Sequence, residues 1–134
     1  MVTTKSILPE GKIPVLRVPC MPSDANQGGS IFGGWIMSQV DVAGSIPASL
    51  HAKGYVVTRA VDSFEFKKPV LIGDLLSCYA DVVSTGRTSV SIKVDVYAER
   101  SRQGVVQCIH VTEANLVYVA IDKHGRPRKI ETEK

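Results

Sequence analysis

SVSIKVDVYAE, Ser89 to Glu99, alternates with a period of two over its whole length. Val90, Ile92, Val94, Val96 and Ala98 fall on one side. Ser89, Ser91, Lys93, Asp95, Tyr97 and Glu99 fall on the other. Successive side chains of a strand point to opposite faces, so the pattern predicts an antiparallel strand with one face in a core and one in solvent. Neighbouring segments extend the sheet. Leu75 to Ser84 reads as a strand, and TGR at 85–87 as the hairpin turn that follows it. Val57 to Lys67 reads as another, with Phe64 and Phe66 on one face, and KPVLIGD connects the two. Downstream, SRQG turns the chain and Val105 to Asp122 is long enough for one long strand. Ile13 to Cys20 sets Val15, Leu16 and Val18 between prolines, which predicts a short edge strand.

A sheet with one apolar face needs a cover. A helical period runs from Ile31 to about Lys53, where Ile36, Val40, Ala43, Pro47 and Leu50 recur at steps of three and four. Pro47 is expected to kink or break this helix locally, and Gly54 to stop it. The predicted fold is therefore α+β: an antiparallel sheet wrapped around one long central helix. The sheet's outer face and edges stay open, which predicts association into dimers or larger assemblies. A chain of 134 residues suits one domain over 1–134, with 1–12 and 124–134 as loose tails.

Net charge is +3 at pH 7, mildly basic. That suits a phosphate-bearing ligand without demanding nucleic acid. Cys20, Cys78 and Cys108 are odd in number, far apart and set among apolar residues. They read as buried free thiols in a reducing, cytoplasmic protein. The N-terminal residues lack the apolar run of a signal peptide, and no stretch approaches the roughly 18–20 apolar residues of a membrane span.

The chemistry concentrates in NQGGSIFGGWIMSQVD, Asn26 to Asp41. A phosphate-binding P-loop is excluded because no Lys follows the glycines, and a dinucleotide fingerprint because loop residues, not a strand, precede them. Gly33 and Gly34 lie at the helix start, where first-turn amides lack internal partners and the helix end is partly positive. A ligand carbonyl could approach these amides closely; alternatively the glycines permit close packing against the sheet. Asp41 lies two turns along the same face, in a stripe with Met37, Ser45 and Ala48. It could activate a water or attack directly, or it could be solvated or paired with a Lys or Arg. His51, His110 and His124 lack metal-ligand spacing, so no metal is expected. No G-x-S-x-G supports a serine triad. Trp35 reads as packing beside the glycines or as the lining of a ligand pocket, and RPRK at 126–129 as solvated charge or a phosphate contact.

The motif N-x-x-G-x-x-x-G-G, here Asn26, Gly29, Gly33 and Gly34, followed by SQVDVAGS, resembles the hotdog-fold acyl-CoA thioesterases, in particular the small YciA-like bacterial subgroup. The likeness continues through MPSDAN, IFGGWIMSQVD, VVTRAVDSFEFKKPVLIGD, GRTSVSI and TEANLVYVAID, covering roughly residues 15–122. The resemblance implies a hotdog fold, a two-subunit active site, dimers assembled into a hexamer, and hydrolysis of acyl-CoA to a free acid and CoA. It implies no cofactor, since coenzyme A is part of substrate and product. It places the family's Asp and Asn on Asp41, as base or nucleophile, and on Asn26 of the opposite protomer. The Gly33 and Gly34 amides would then polarise the thioester carbonyl. Gly86, Arg87, Thr88 and Ser89 of GRTSVSI, with Arg59 and Lys67, become candidate CoA contacts. The chain departs from the family pattern at Pro47, beside the expected acyl tunnel, and at Ser30, where an acidic residue is usual. Two other readings stand beside it. One is a non-catalytic acyl-CoA-binding module. The other is a hotdog hydratase or dehydratase, which needs a His near the helix start that this chain lacks.

Overall fold

The structure, a computed structural model, describes residues 7–131. Strand β1 (Leu16–Pro19) is followed by a short 3-10 turn, helix α1 (Gly33–Ala52), and strands β2 (Val56–Phe66), β3 (Leu75–Thr85), β4 (Ser89–Arg102) and β5 (Val105–Ala120). The strands form one antiparallel sheet in the order β1-β3-β4-β5-β2, with β1 and β2 as its edges. The helix packs on β2, β3, β4 and β5. The alternation of β4 holds: Val90, Ile92, Val94, Val96 and Ala98 are fully buried. Among the described residues no helix is long and apolar enough to cross a membrane.

The face α1 turns to the sheet differs from the expected stripe. Ile36, Val40, Ala43, Gly44, Ala48 and Ala52 are buried, whereas Leu50 is 75% exposed. The reason is size: the sheet curls closely round the second half of the helix, and only small residues fit there. The large apolar Val42, Ile46 and Leu50 are displaced to the outer face. Nor does Pro47 break the helix, which is continuous from Gly33 to Ala52. Pro47 lacks the amide that would donate to the Ala43 carbonyl, and the remaining turns carry the helix past it.

The helix ends one residue before the expected stop. Lys53 takes the left-handed conformation (φ 56°), and the Gly54 amide donates to the Ser49 carbonyl at 3.3 Å. Gly54 serves another purpose. A Cβ there would stand 2.6 Å from Nη2 of Arg128. Arg128 donates from Nη2 to the Ala52 carbonyl at 2.7 Å and from Nε to the Ile121 carbonyl at 3.1 Å. Its cation caps the negative end of the helix, where carbonyls lack partners. Within RPRK, Arg128 is thus drawn out of solvent while Arg126, Pro127 and Lys129 stay exposed, and residues 124–131 are not a loose tail: Ile130 is 5% exposed in the core and its amide donates to the Arg87 carbonyl at 2.9 Å. The rest of the expected tail, 132–134, lies outside the described residues, as do 1–6. Residues 7–12 form no helix or strand, and Lys12 pairs with the exposed Asp81.

The connection from β2 to β3 is held by a buried ion pair. Asp74, 1% exposed, receives Nε of Arg100 on Oδ1 at 2.9 Å and Nη2 on Oδ2 at 2.8 Å, and also accepts the Leu71 amide at 2.9 Å. The turn so fixed receives the glycine loop, since Ser30 bridges Leu71 and the Ile31 amide donates to the Val70 carbonyl. Removing one partner of a buried pair strands the other charge. Asp74→Ala should therefore cost about 3–5 kcal/mol, measurable as a lowered urea midpoint with unchanged m-value.

Candidate active site

Asp41 occupies the middle of α1, half-buried between the helix and the β5–β2 end of the sheet. Thr58 of β2 donates from Oγ1 to Asp41 Oδ1 at 2.5 Å. Tyr118 of β5, 1% exposed, donates from its hydroxyl to the Asp41 carbonyl at 2.7 Å and lies 3.2 Å from the same Oδ1. Both donors engage one oxygen. Among the described residues, no group bonds Oδ2 and no Lys or Arg pairs with Asp41. The paired-carboxylate reading is therefore set aside. What remains is a carboxylate oriented by neutral donors, with one oxygen unspent, the state a general base or nucleophile requires. Burial, then the Asp41 charge, pushes the Tyr118 phenol well above its ordinary value, so it stays protonated and keeps donating.

Thr58 and Tyr118 were not among the expected site residues. Both lie inside stretches that carry the family likeness, VVTRAVDSFEFKKPVLIGD and TEANLVYVAID, but nothing local ties them to Asp41, which they reach across 17 and 77 positions of chain.

Thr58 also lines a groove of about 520 Å³ with Val57, Arg59, Thr88, Val119 and Ile121. The β2–β5 register shifts between Thr58 and Ala60, so neighbouring Thr58 and Arg59 both reach it. Two expected ligand contacts, Arg59 and Thr88, thus share a wall with the residue that holds Asp41. The turn behind Thr88 is tight. The Gly86 amide donates to the Ser89 carbonyl at 2.8 Å, and a Cβ on Gly86 would stand 2.7 Å from Ser89 Oγ. The Arg87 and Thr88 carbonyls are already used by the Ile130 and Ala120 amides. What this turn leaves for a ligand is side chains, notably the exposed Arg87, and the Arg87 and Thr88 amides, which have no partner among the described residues.

The other expected residues gather elsewhere. Asn26 is exposed, and its Oδ1 accepts the Gly28 amide at 2.9 Å and the Ser30 amide at 3.2 Å. Both partners are N–H donors, which settles which end of the amide faces the loop. Nδ2 is left pointing away as a donor. Ser30, Gly33 and Lys67 line a second cavity of about 310 Å³ with Phe66 and Val70. A Cβ on Gly33 would press on the Phe66 ring at 3.0 Å, so close packing does explain this glycine. At Gly34 a Cβ would meet open space. The Trp35 and Ile36 amides turn back to the Phe32 carbonyl, while those of Gly33 and Gly34 have no partner among the described residues. Trp35 packs against the core, as expected. Within one chain, Asn26 and Asp41 share no hydrogen-bond partner.

One group of possible metal ligands occurs among the described residues. Asp95, His110 and Glu113 bring their ligand atoms within 4.8 Å of one another, on the strand faces turned away from α1. Its charges are already matched: His110 lies 3.2 Å from Asp95 and stacks on Tyr97, and Glu113 faces Lys93 at 3.6 Å and Lys67 at 3.9 Å.

Comparison with known proteins gives a consistent family. The family described as "Thioesterase superfamily" matches residues 28–105. The acyl-CoA thioester hydrolase YciA of Escherichia coli is 44% identical over 134 residues, spanning 99% of this chain and 100% of its own. A hexameric hotdog fold thioesterase of Campylobacter jejuni is 47% identical with a TM-score of 0.85, covering 88% of this chain and 90% of that one. A hexameric broad-specificity acyl-coenzyme A thioesterase is 42% identical with a TM-score of 0.87, covering 98% and 90%. That enzyme has also been solved as an aspartate-to-alanine mutant.

The three thiols stand apart from this chemistry, free and buried. Burial pushes Cys20 and Cys78 up to about 12, so neither forms the reactive thiolate near neutrality. A thiol-reactive dye at pH 8 should leave both unlabelled until the protein is unfolded in guanidinium. The linkage has a definite sign. The stabilisation from keeping these thiols protonated is complete below their ordinary value of 9.0 and is lost as pH rises toward about 12. The melting temperature should fall across that window.

Proposed function

The chain belongs to the hotdog-fold thioesterase superfamily and is an acyl-CoA thioester hydrolase, and we propose that Asp41 is its general base. The observation that carries this is the unspent Oδ2 of a carboxylate pinned through Oδ1 by Thr58 and Tyr118. In the reaction Asp41 takes a proton from water, the oxygen attacks the thioester carbonyl, and the C–S bond breaks. The departing sulfur takes that proton back from Asp41, giving free CoA and a carboxylic acid and restoring the carboxylate.

Asn26 serves this step from the neighbouring protomer. Its Oδ1 is consumed in holding the loop, so the free Nδ2 is set to donate to the thioester carbonyl rather than to accept from water. The Gly33 and Gly34 amides add donors at the positive end of α1. The expected residues fall in two places on one chain, which supports a shared site: Asp41 is held by Thr58 beside the groove that Arg59 and Thr88 line, and the Asn26 loop reaches, through Ser30, the cavity that Gly33 and Lys67 line. Arg59 and Arg87 would meet the CoA phosphates, with Thr88, Ser89 and the Gly86 turn shaping the wall, and no separate cofactor is required.

Assembly into dimers and then a hexamer accords with the two hexameric relatives. It accords also with an eleven-residue edge strand, β2, that leaves Val57, Val61 and Phe66 exposed. Long apolar edges of this kind call for a partner. Buried free thiols suit a cytoplasmic location.

The test is release of CoA from an acyl-CoA panel, acetyl to palmitoyl, followed with a thiol dye. Asp41→Ala should lower kcat by about 10²–10⁴-fold while CoA still binds by calorimetry. Asn26→Ala should lower it by about 10²–10³-fold, as loss of one oxyanion donor does. Binding without release from any acyl-CoA would make the chain a binding module and Asp41 a structural residue.

A further inference from the structure

We infer that Tyr118 is a positioning residue for the hydrolysis, acting through a notch in α1 that only Gly44 can provide; the inference rests on Asp41 as the base. Gly44 lies one turn beyond Asp41 on the buried face of the helix. A Cβ built on Gly44 overlaps the Tyr118 hydroxyl oxygen outright, and stands 3.1 Å from ring carbons Cε1 and Cζ. The hydroxyl thus occupies the space a side chain would take. From that notch it makes the contacts with the Asp41 carbonyl at 2.7 Å and with Oδ1 at 3.2 Å.

The two contacts do different things. The first reaches a helix carbonyl whose ordinary acceptor role lies within α1, so it fixes the height of the helix turn that carries Asp41 above the sheet. The second reaches the oxygen that Thr58 also holds. One buried hydroxyl thereby ties the backbone and the side chain of Asp41 to the same point on β5. Thr58 alone would leave the carboxylate free to rotate about that single bond; Tyr118 removes this freedom and turns Oδ2 in one direction. The phenol is suited to the task. Its raised proton affinity keeps it a donor across the working pH range, and its ring, buried in the core, keeps it from swinging out. A water held by an oxygen misaimed by about an ångström would react some 10²-fold more slowly.

Three variants separate positioning from packing. Tyr118→Phe keeps the ring and removes the oxygen. Gly44→Ala puts a methyl where the oxygen sits. The double variant lets the methyl fill the space the oxygen vacated, with the remaining 3.1 Å ring contacts requiring a few tenths of an ångström of give. Tyr118→Phe should lower kcat about ten- to a hundredfold, with KM within twofold and little change in melting temperature. Gly44→Ala should be equally slow and clearly less stable. The double variant should regain stability over Gly44→Ala and stay as slow as Tyr118→Phe. A double variant that recovers rate together with stability would make Tyr118 a packing residue only, as would full kcat in Tyr118→Phe. Asp41→Ala, run alongside, distinguishes the failures. If it abolishes turnover while Tyr118→Phe is unimpaired, only this inference falls. If turnover survives Asp41→Ala, the base assignment falls and takes the inference with it.

Discussion

The close approach of α1 to the sheet governs the rest of the molecule. Gly44, Ala48 and Ala52 present almost no side chain to the strands, so the helix backbone can sit nearly against them. Interiors are packed as densely as organic crystals, and a single added methyl group at such a contact is felt. This closeness brings a helix carboxylate within hydrogen-bond reach of a threonine on an edge strand and a tyrosine on its neighbour. A Leu or Ile at any of these positions would prise the helix outward, and Asp41 would lose both partners together.

The ends of the helix are secured by different means. At the C-terminal end Arg128 returns from the last described segment to cap the Ala52 carbonyl, and Gly54 keeps its path clear. At the N-terminal end the loop from Asn26 to Ile31 is bridged to the turn that the Asp74–Arg100 pair holds in place. Arg100 lies toward the far end of β4, so the buried pair transmits the rigidity of the sheet to the glycine loop. The amides of Gly33 and Gly34 stay unbonded because they open the first turn of α1, where amides have no partner within the helix. The loop before them is held by other bonds, from Gly28 and Ser30 to Asn26 and from Ile31 to Val70.

Much of this was legible in the sequence, and the failures share a cause. The period of two in Ser89 to Glu99 identified β4 and its buried face residue by residue, because a strand's pattern is local. The helix was equally visible, but its buried stripe was assigned to the bulky Leu50 when the contact in fact uses Ala48 and Ala52. Hydrophobic period finds large residues; it does not find the places where closeness demands small ones. The tail from residue 124 was misjudged for a related reason. Its composition is that of solvated coil, yet Arg128 and Ile130 are fixed by groups far off in the chain. Asp41 and Asn26 were singled out through a motif. The contacts of Thr58 and Tyr118 with Asp41 were not legible, since only the folded chain shows what lies opposite it.

The nature of those partners suits the role proposed for Asp41. A Lys or Arg beside a carboxylate favours its charged form and lowers its affinity for a proton. Such a cation would position Asp41 and weaken it as a base in one stroke. Thr58 and Tyr118 are neutral donors, so they orient the group at a smaller electrostatic cost, and the raised proton affinity of the phenol keeps the second of them neutral. The cations nearest this half of the site, Arg59 and Arg87, are exposed on its surface. There they can attract a polyanionic ligand while solvent and salt screen them from the carboxylate. On the proposed mechanism, attraction of the substrate and activation of water would thereby fall to charges in different dielectric surroundings, and neither would have to be weakened for the other to work.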